Sequence, residues 1–545
     1  KLGNSQKSVY RLSDGTPVVR ALIEPSTLTK FENDSAIFRI EETDFFNVPS
    51  DIPQGISIED FKLAPDVDLG KLPVVVVLDN GVKFPKHLKE LVVDRWVSSN
   101  TTGGDCSHGT RVASLVSFRN FKIDSDRILR PRVRIIDCNI LDGNVPIDEF
   151  ISRIQNSVIK YVDKSKIFNL SANSKNPIDG DEMSILGYEL DVLQQKNHVQ
   201  FIVSAGNHYL WKYNYSLEEI LDDDDSIISS PADSMLSIVV GATAGCTHDT
   251  CISKNHQIAP YSRRGPGFKD FSKPDMTAYA GVIVQDNGIA SVPQDNFSLS
   301  LDKTGFLSPD AGTSFSAPII SGDLAEILGV TEDNLLLAKA LMYHNAKPLW
   351  NEDEMTNEDL WGVHNLYGRG FSDVDSSKYS SPSRVTFLRT GILNRTSKER
   401  IKFYMPDILA AQPGRNVAKV TVTCISLPPV DRTKGTEYLG AYIRATLKKA
   451  GDTEDVLRSV SPIFREGHQK WDVCSQFSQL FTSFNAGDWQ VWLELFARWE
   501  LKDENVPYAL VVTIEDLSGQ LDIYQEIKAQ NRFRTIAPVR IRVKN

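Results

Sequence analysis

Leu72-Pro73-Val74-Val75-Val76-Val77-Leu78-Asp79-Asn80-Gly81 is a nearly unbroken apolar run that stops on a carboxylate and a turn. Such a run, with no polar alternation, reads as a strand buried on both faces, as in a parallel sheet. Asp-Asn-Gly is a turn signal. Shorter runs of the same kind recur at Val133-Arg134-Ile135-Ile136, Lys166-Ile167-Phe168-Asn169-Leu170, Phe201-Ile202-Val203 and Leu236-Ser237-Ile238-Val239-Val240. Between them, apolar residues fall at helical spacing: Ile147, Phe150, Ile151, Ile154 and Val158 in one segment, and Leu186, Leu190 and Leu193 in another. Alternating strands and helices predict an α/β domain over residues 71–378, a mostly parallel sheet with helices on both faces. In such sheets, sites gather at the carboxyl ends of the strands.

The flanks differ in texture. Residues 1–70 read as a small N-terminal α+β region, with Thr16-Pro17-Val18-Val19-Arg20-Ala21-Leu22-Ile23 and Ala36-Ile37-Phe38-Arg39-Ile40 strand-like. In residues 379–545, Trp489, Val491, Leu493, Leu495, Ala497 and Trp499 alternate with Gln490, Glu494, Arg498 and Glu500. Period two with polar partners predicts half-buried antiparallel strands. The expectation is a C-terminal β-sandwich or jelly roll with these tryptophans in its core.

The formal net charge of −11 over 545 residues argues against nucleic-acid and anionic-membrane binding, which call for a basic face. No apolar run approaches the roughly 18–20 residues of a bilayer span. Six cysteines in a chain of this length do not make a disulfide scaffold. That cysteine usage sets the expectation of a reducing, cytoplasmic setting; Lys1-Leu2-Gly3-Asn4-Ser5-Gln6 has no apolar core of a signal peptide.

The chemistry-bearing residues stand at the ends of the apolar runs. Ser314, in Gly312-Thr313-Ser314-Phe315-Ser316-Ala317-Pro318, opens a helical segment beside unpaired N–H groups and the positive end of the dipole. By itself it reads equally as an N-cap and as a nucleophile. A serine nucleophile needs a histidine to take its proton, a carboxylate to orient that histidine, and donors for the oxyanion. Asp79 ends the most apolar strand, where an idle carboxylate is costly, though a turn-forming role competes. His108 precedes a glycine that permits close approach, in Ser107-His108-Gly109-Thr110-Arg111-Val112-Ala113; alone it reads as structural. Asn207 follows the small residues Ser204-Ala205-Gly206, which leave room for a substrate backbone. Its amide suits an oxyanion donor or a turn.

Asp79-Asn80-Gly81-Val82, the His108 block, Ser204-Ala205-Gly206-Asn207 and the Ser314 block, in that order, resemble the four signature blocks of the subtilisin-like serine proteases, or subtilases. Ser230-Pro231-Ala232-Asp233, Val239-Val240-Gly241-Ala242-Thr243, Tyr261-Ser262-Arg263-Arg264-Gly265-Pro266 and Lys273-Pro274-Asp275 are similar to further family segments, so the resemblance covers about residues 71–375. It implies a subtilisin-like sheet and a serine endopeptidase working through an acyl-enzyme. Ser314 would attack, and His108 would serve as base and then acid. Asp79 would hold the histidine tautomer, while the Asn207 side chain and the Ser314 N–H bind the oxyanion. Leu170-Ser171-Ala172-Asn173, on an exposed strand end, would pair with the substrate backbone beside Ser204, Ala205 and Gly206. Arg111 stands where many members carry a second histidine, Asn173 replaces a common glycine, and Tyr279 replaces a proline.

No cofactor is expected; members often bind calcium, but no ligand set is legible here. Cys246, His248, Cys251 and His256 are four ligand types that could hold zinc, but they fit no standard zinc spacing, and the alternative is a polar loop with free thiols. Cys106 reads as packing, and residues 222–225 as a solvated acidic loop. The expected partners are a protein or peptide substrate and a regulator. Some relatives without signal peptides are encoded beside ATPases in bacterial anti-phage systems, and the resemblance implies a similar role gated by such a partner or by the N-terminal segment. The alternative is a latent or silent subtilase-fold module acting in partner assembly.

Overall fold

The run at 74–79 forms β1 (Val74–Asp79), in which Val75, Val76, Val77 and Leu78 are wholly buried. In this computed structural model the described residues are 7–23, 28, 31, 36–46, 55–98, 101, 104–121, 127–245, 249–286, 288–293, 298–350, 355–410, 417–453, 471–499 and 505–530. After β1 come β2 (Val92–Val97), α1 (Ser107–Phe118), β3 (Arg134–Asn139), α2 (Ile147–Tyr161), β4 (Ile167–Leu170) and α3 (Ile185–Asn197). Then follow β5 (Gln200–Ser204), β6 (Ile238–Thr243), β7 (Met276–Tyr279) and α4 (Thr313–Leu328).

The chain divides into two compact units. One comprises Lys1–Asp179, Met183–Arg264 and Tyr279–Gly322; the other comprises Gly180–Glu182, Gly265–Ala278 and Asp323–Asn545. Six strands of a seven-stranded sheet lie in the first unit in the order β6–β5–β4–β1–β3–β2, all paired in parallel. Parallel neighbours require crossovers, and the helices supply them. The register sets Leu170 beside Leu78 and Val203, and Asp79 beside Asn139. The carboxyl ends of β1, β4 and β5 therefore open at one level.

The N-terminal residues lie on this unit. A hairpin, Lys7–Arg11 against Pro17–Ala21, brings Arg20 Nε to 2.7 Å from Asp148 on α2, and Ser13 N donates to Glu189 on α3 at 2.8 Å. Phe46 is wholly buried and stacks on Phe150 at 4.6 Å. Ile56–Ser57 pairs with Phe306–Pro309, and Lys62–Leu63 with Ile128–Leu129. The strand expected over 36–40 does not form. Pairing comes later, at Phe45–Phe46 with Val145–Pro146, and Phe38 is left 66 % exposed.

The second unit holds α5 (Leu335–His344), β8 (Arg384–Leu393), β9 (Lys398–Met405), β10 (Ala418–Ser426), β11 (Ala441–Lys448), β12 (Cys474–Phe481), β13 (Gly487–Ala497) and β14 (Val506–Asp516). These strands form two antiparallel sheets, β8–β14–β10–β12 and β9–β13–β11. Val422, Val512, Trp489, Val491 and Leu493 meet in one core. Of the tryptophans assigned to that core, only Trp489 is wholly buried. Trp492 has the opposite parity along β13, so it faces away, with Arg400 4.1 Å and Lys448 4.9 Å from its ring. Trp499 lies beyond the strand end, against Gly440. Helix α5 covers β10 and β14 and lodges His344 between Thr423 and Thr513 at 2.9 and 2.6 Å. Among the described residues no helix is long and apolar enough to cross a membrane.

Candidate active site

Asp79 and His108 meet because two glycines let the backbone fold tightly. After β1 the chain turns at Gly81 (φ +99°), where a Cβ would sit 2.9 Å from Cys106 Sγ and 3.0 Å from Asn139 Nδ2. The first turn of α1 rests on this bend, and a Cβ on Gly109 would lie 2.4 Å from Gly81 O. Gly109 N donates to Asn80 Oδ1 at 2.8 Å. His108 Nδ1 is thereby held 2.9 and 3.0 Å from the two Asp79 oxygens, and both side chains are 1 % exposed. Asn80 N donates to Asp79 Oδ1 at 2.8 Å. A carboxylate only accepts, so Nδ1 carries a proton, which in the neutral imidazole makes Nε2 the acceptor. The Phe315 ring packs 5.6 Å from the imidazole.

Ser314 lies in the first turn of α4, half-buried. Pro318 has no N–H for the carbonyl four residues back, which leaves Ser314 O for another donor. The Ser171 hydroxyl takes that place at 3.1 Å, and the Ser314 hydroxyl donates to Ser171 O at 3.2 Å. Asn169 Nδ2 donates to Ser171 Oγ at 3.0 Å, and Ser321 Oγ donates to Asn169 Oδ1 at 2.8 Å. The end of β4 and the start of α4 are clamped together. Asn207 Oδ1 accepts from Thr313 N at 2.9 Å and from Thr313 Oγ1 at 3.2 Å, while Gly206 N donates to Thr313 Oγ1 at 3.2 Å. These contacts occupy the amide oxygen and fix the orientation of the amide nitrogen.

The residues expected to hold a substrate are placed differently from the expectation. The strand end at 170–172 is not exposed: Leu170, Ser171 and Ala172 are 0, 1 and 3 % exposed, because β4 is an interior strand and α4 covers its end. Asn173 spans the gap to β5, donating to Ser204 O at 2.8 Å and accepting from Ser204 Oγ at 2.5 Å. Ser204 and Ala205 are wholly buried. On the side where a Cβ would project, Gly206 packs against the chain itself, since a Cβ there would meet Ser229 Oγ at 2.4 Å and Arg263 Cδ at 2.8 Å.

Arg263, within the 261–266 segment, carries no signal of its own in the sequence. Its guanidinium donates to Asn207 O, Asp225 O, Ile227 O and Lys175 O at 3.1, 2.7, 2.6 and 2.6 Å, so it braces the backbone behind the candidate oxyanion donor. Burial lowers its pKa to about 10. Asp137 was missed too, although a carboxylate interrupting the apolar run on β3 is a signal. It accepts from Val82 N at 3.1 Å and Arg95 Nε at 2.9 Å, under the turn that carries Asp79, and burial pushes its pKa up to about 6.

Burial, and then Asp137, raise the Cys106 thiol, which suits packing better than thiolate chemistry. Cys251 is not a free thiol but disulfide-bonded, which removes it as a thiolate ligand. Cys246 and His248 lie outside the described residues, and Tyr279 Oη is 2.6 Å from His256 Nδ1.

Residues 70–370, more than half of the chain, match the profile of the Subtilase family. Uncharacterized protein y4bN of Sinorhizobium fredii is 24% identical over 349 residues, which are 59% of this chain and 78% of that protein. Among solved structures, a mutant of the epidermin leader peptide processing serine protease of Staphylococcus aureus aligns over 68% of this chain and 93% of its own, with 14% identity and a TM-score of 0.41. The prenylagaramide maturation protease PagA aligns over 56% of this chain and 91% of its own, with 18% identity and a TM-score of 0.36. The chain belongs to the subtilase family of peptidases.

Proposed function

We propose that the chain is a serine endopeptidase whose reaction runs through Asp79, His108, Ser314 and Asn207. His108 Nε2 takes the Ser314 proton as Oγ attacks the scissile carbonyl, and Asp79 stabilises the imidazolium at Nδ1. The Asn207 amide and the Ser314 N–H receive the oxyanion. The imidazolium then protonates the leaving amine, and water releases the acyl group by the reverse steps. The observation that most supports this reading is the buried Asp79–His108 pair, with Nδ1 committed and Nε2 left as a base. A fluorophosphonate tests it. Wild type should be labelled and Ser314→Ala should not; labelling that survives the substitution would assign the nucleophile elsewhere.

One contact favours a second reading, a latent module. The Ser314 hydroxyl is directed at Ser171 O, and that bond must break before attack. We infer that activity is gated, by a partner such as an ATPase or by the N-terminal segment, in a cytoplasmic protein of bacterial anti-phage defence with residues 71–378 as its catalytic part. Casein or peptide turnover with and without such a partner tests the gate, and full activity of the isolated chain would refute it.

A further inference from the structure

Arg111 lies one turn beyond His108 on α1 and is 2 % exposed. Its Nη1 donates to Asp310 Oδ1 at 2.8 Å and to Ser300 Oγ at 3.1 Å, and the Ser300 hydroxyl donates to Asp310 Oδ2. Asp310 is 5 % exposed and precedes Ser314 by four residues. Ser300 belongs to the hairpin Leu299–Leu301 against Phe306–Pro309, which runs into the Ser314 turn. A turn further along α1, Ser114 Oγ accepts from Leu301 N at 3.0 Å. Towards the other reactive group, Thr110 Oγ1 accepts from Lys83 N at 2.9 Å, just past the Asp79 bend. Thr110, Arg111 and Ser114 of α1 thus tie the histidine's helix to the segments that carry the carboxylate and the serine.

We propose that Arg111 and Asp310 are positioning residues that set the separation of His108 and Ser314. This rests on the reading of those two as base and nucleophile. A buried ion pair is a weak source of stability, because desolvation offsets most of its attraction. Its geometry, however, is directional. Arg111 reaches from the histidine's helix to the strand leading into the serine's, so a shift of one moves the other. A misplacement of about 1 Å between reacting groups costs about 100-fold in rate.

The test uses the full chain, with the rate of fluorophosphonate modification at Ser314, kcat and KM on a peptide, and thermal melting as readouts. Arg111→Met with Asp310→Leu removes both charges, so neither is left buried alone, and this double variant should melt close to wild type. Its labelling rate and kcat should fall about 100-fold while KM stays within about twofold. Arg111→Lys keeps a charged donor and should recover to within about tenfold of wild type. Asp310→Asn, isosteric with one acceptor kept, should lose about tenfold and decides the matter if the double variant does not fold. A folded double variant, or a folded Asp310→Asn, that reacts at the wild-type rate overturns the proposal. Labelling that is equal in wild type and Ser314→Ala overturns the choice of nucleophile instead, and folded wild type left unlabelled without a partner favours the latent reading.

Discussion

Asn207 illustrates how a single side chain is prepared. Its oxygen accepts from the Thr313 N–H and hydroxyl, which fixes its nitrogen as the donor that the proposed mechanism requires. Replacing it by leucine should lower kcat about 10²–10³-fold with little change in KM. Peptide turnover checks this, and an unchanged kcat would place the oxyanion donor elsewhere. Gly109 is a second case. A methyl at 2.4 Å from Gly81 O cannot be accommodated without moving α1, and His108 with it. Gly109→Ala should cost about 1–3 kcal/mol by urea unfolding and slow Ser314 labelling; wild-type values of both would show that the bend yields freely. The Gly109 contact was legible, because a glycine beside a histidine signals close approach. The close approach of Ser229 and Arg263 to Gly206 was not legible, since small residues report that something comes near but not what it is.

The elements account for what surrounds these residues. Pro318 frees the Ser314 carbonyl, β4 ends under α4, and Ser171 closes the joint between them. The N-terminal strands are bound into the same unit by side chains that burial makes costly to lose. Burial raises the pKa of Glu189 on α3, whose carboxylate accepts from Ser13. Phe46→Ala should therefore destabilise the protein by about 3–5 kcal/mol in urea unfolding, as for a core aromatic. A change below about 0.5 kcal/mol would mean that the N-terminal segment is dispensable to the fold. The alternation on β13 was read correctly as a strand, and parity then decided which tryptophan went inward. Trp489 and Trp492 differ by an odd number of residues and cannot share a face.

For the whole molecule, the buried histidines set the acid limit. Burial lowers His208 to about 4 and His364 to about 3, and holds His344 well below the ordinary value of 6.5. Each is neutral when folded and takes up a proton when unfolded, so its contribution to stability is present above about pH 6.5 and is lost progressively as pH falls toward the folded value. Asp137, raised to about 6, acts in the opposite sense between about pH 4 and 6, as do Asp44, Glu189 and Asp472, which burial also raises. Carboxylates lowered in the fold, Asp275 and Asp373 among them, add to the loss. Calorimetry should give a Tm that is level above about pH 7 and falls between pH 6.5 and 4. His344→Gln should flatten part of that fall, and a Tm constant down to pH 4.5 would refute the account.

From the sequence alone came the parallel sheet, the antiparallel C-terminal sheets and the four blocks at 79–82, 108–113, 204–207 and 312–318. These are local signals: unbroken apolar runs, two-residue alternation, and glycines beside reactive side chains. The tertiary structure alone decided that Arg111 meets Asp310, that Arg263 packs against Gly206, and that Ser171 clamps Ser314. The partners in these contacts stand 57 to 199 residues apart. No periodicity carries information over such a distance; the register of the sheet and the packing of α1 and α4 bring them together.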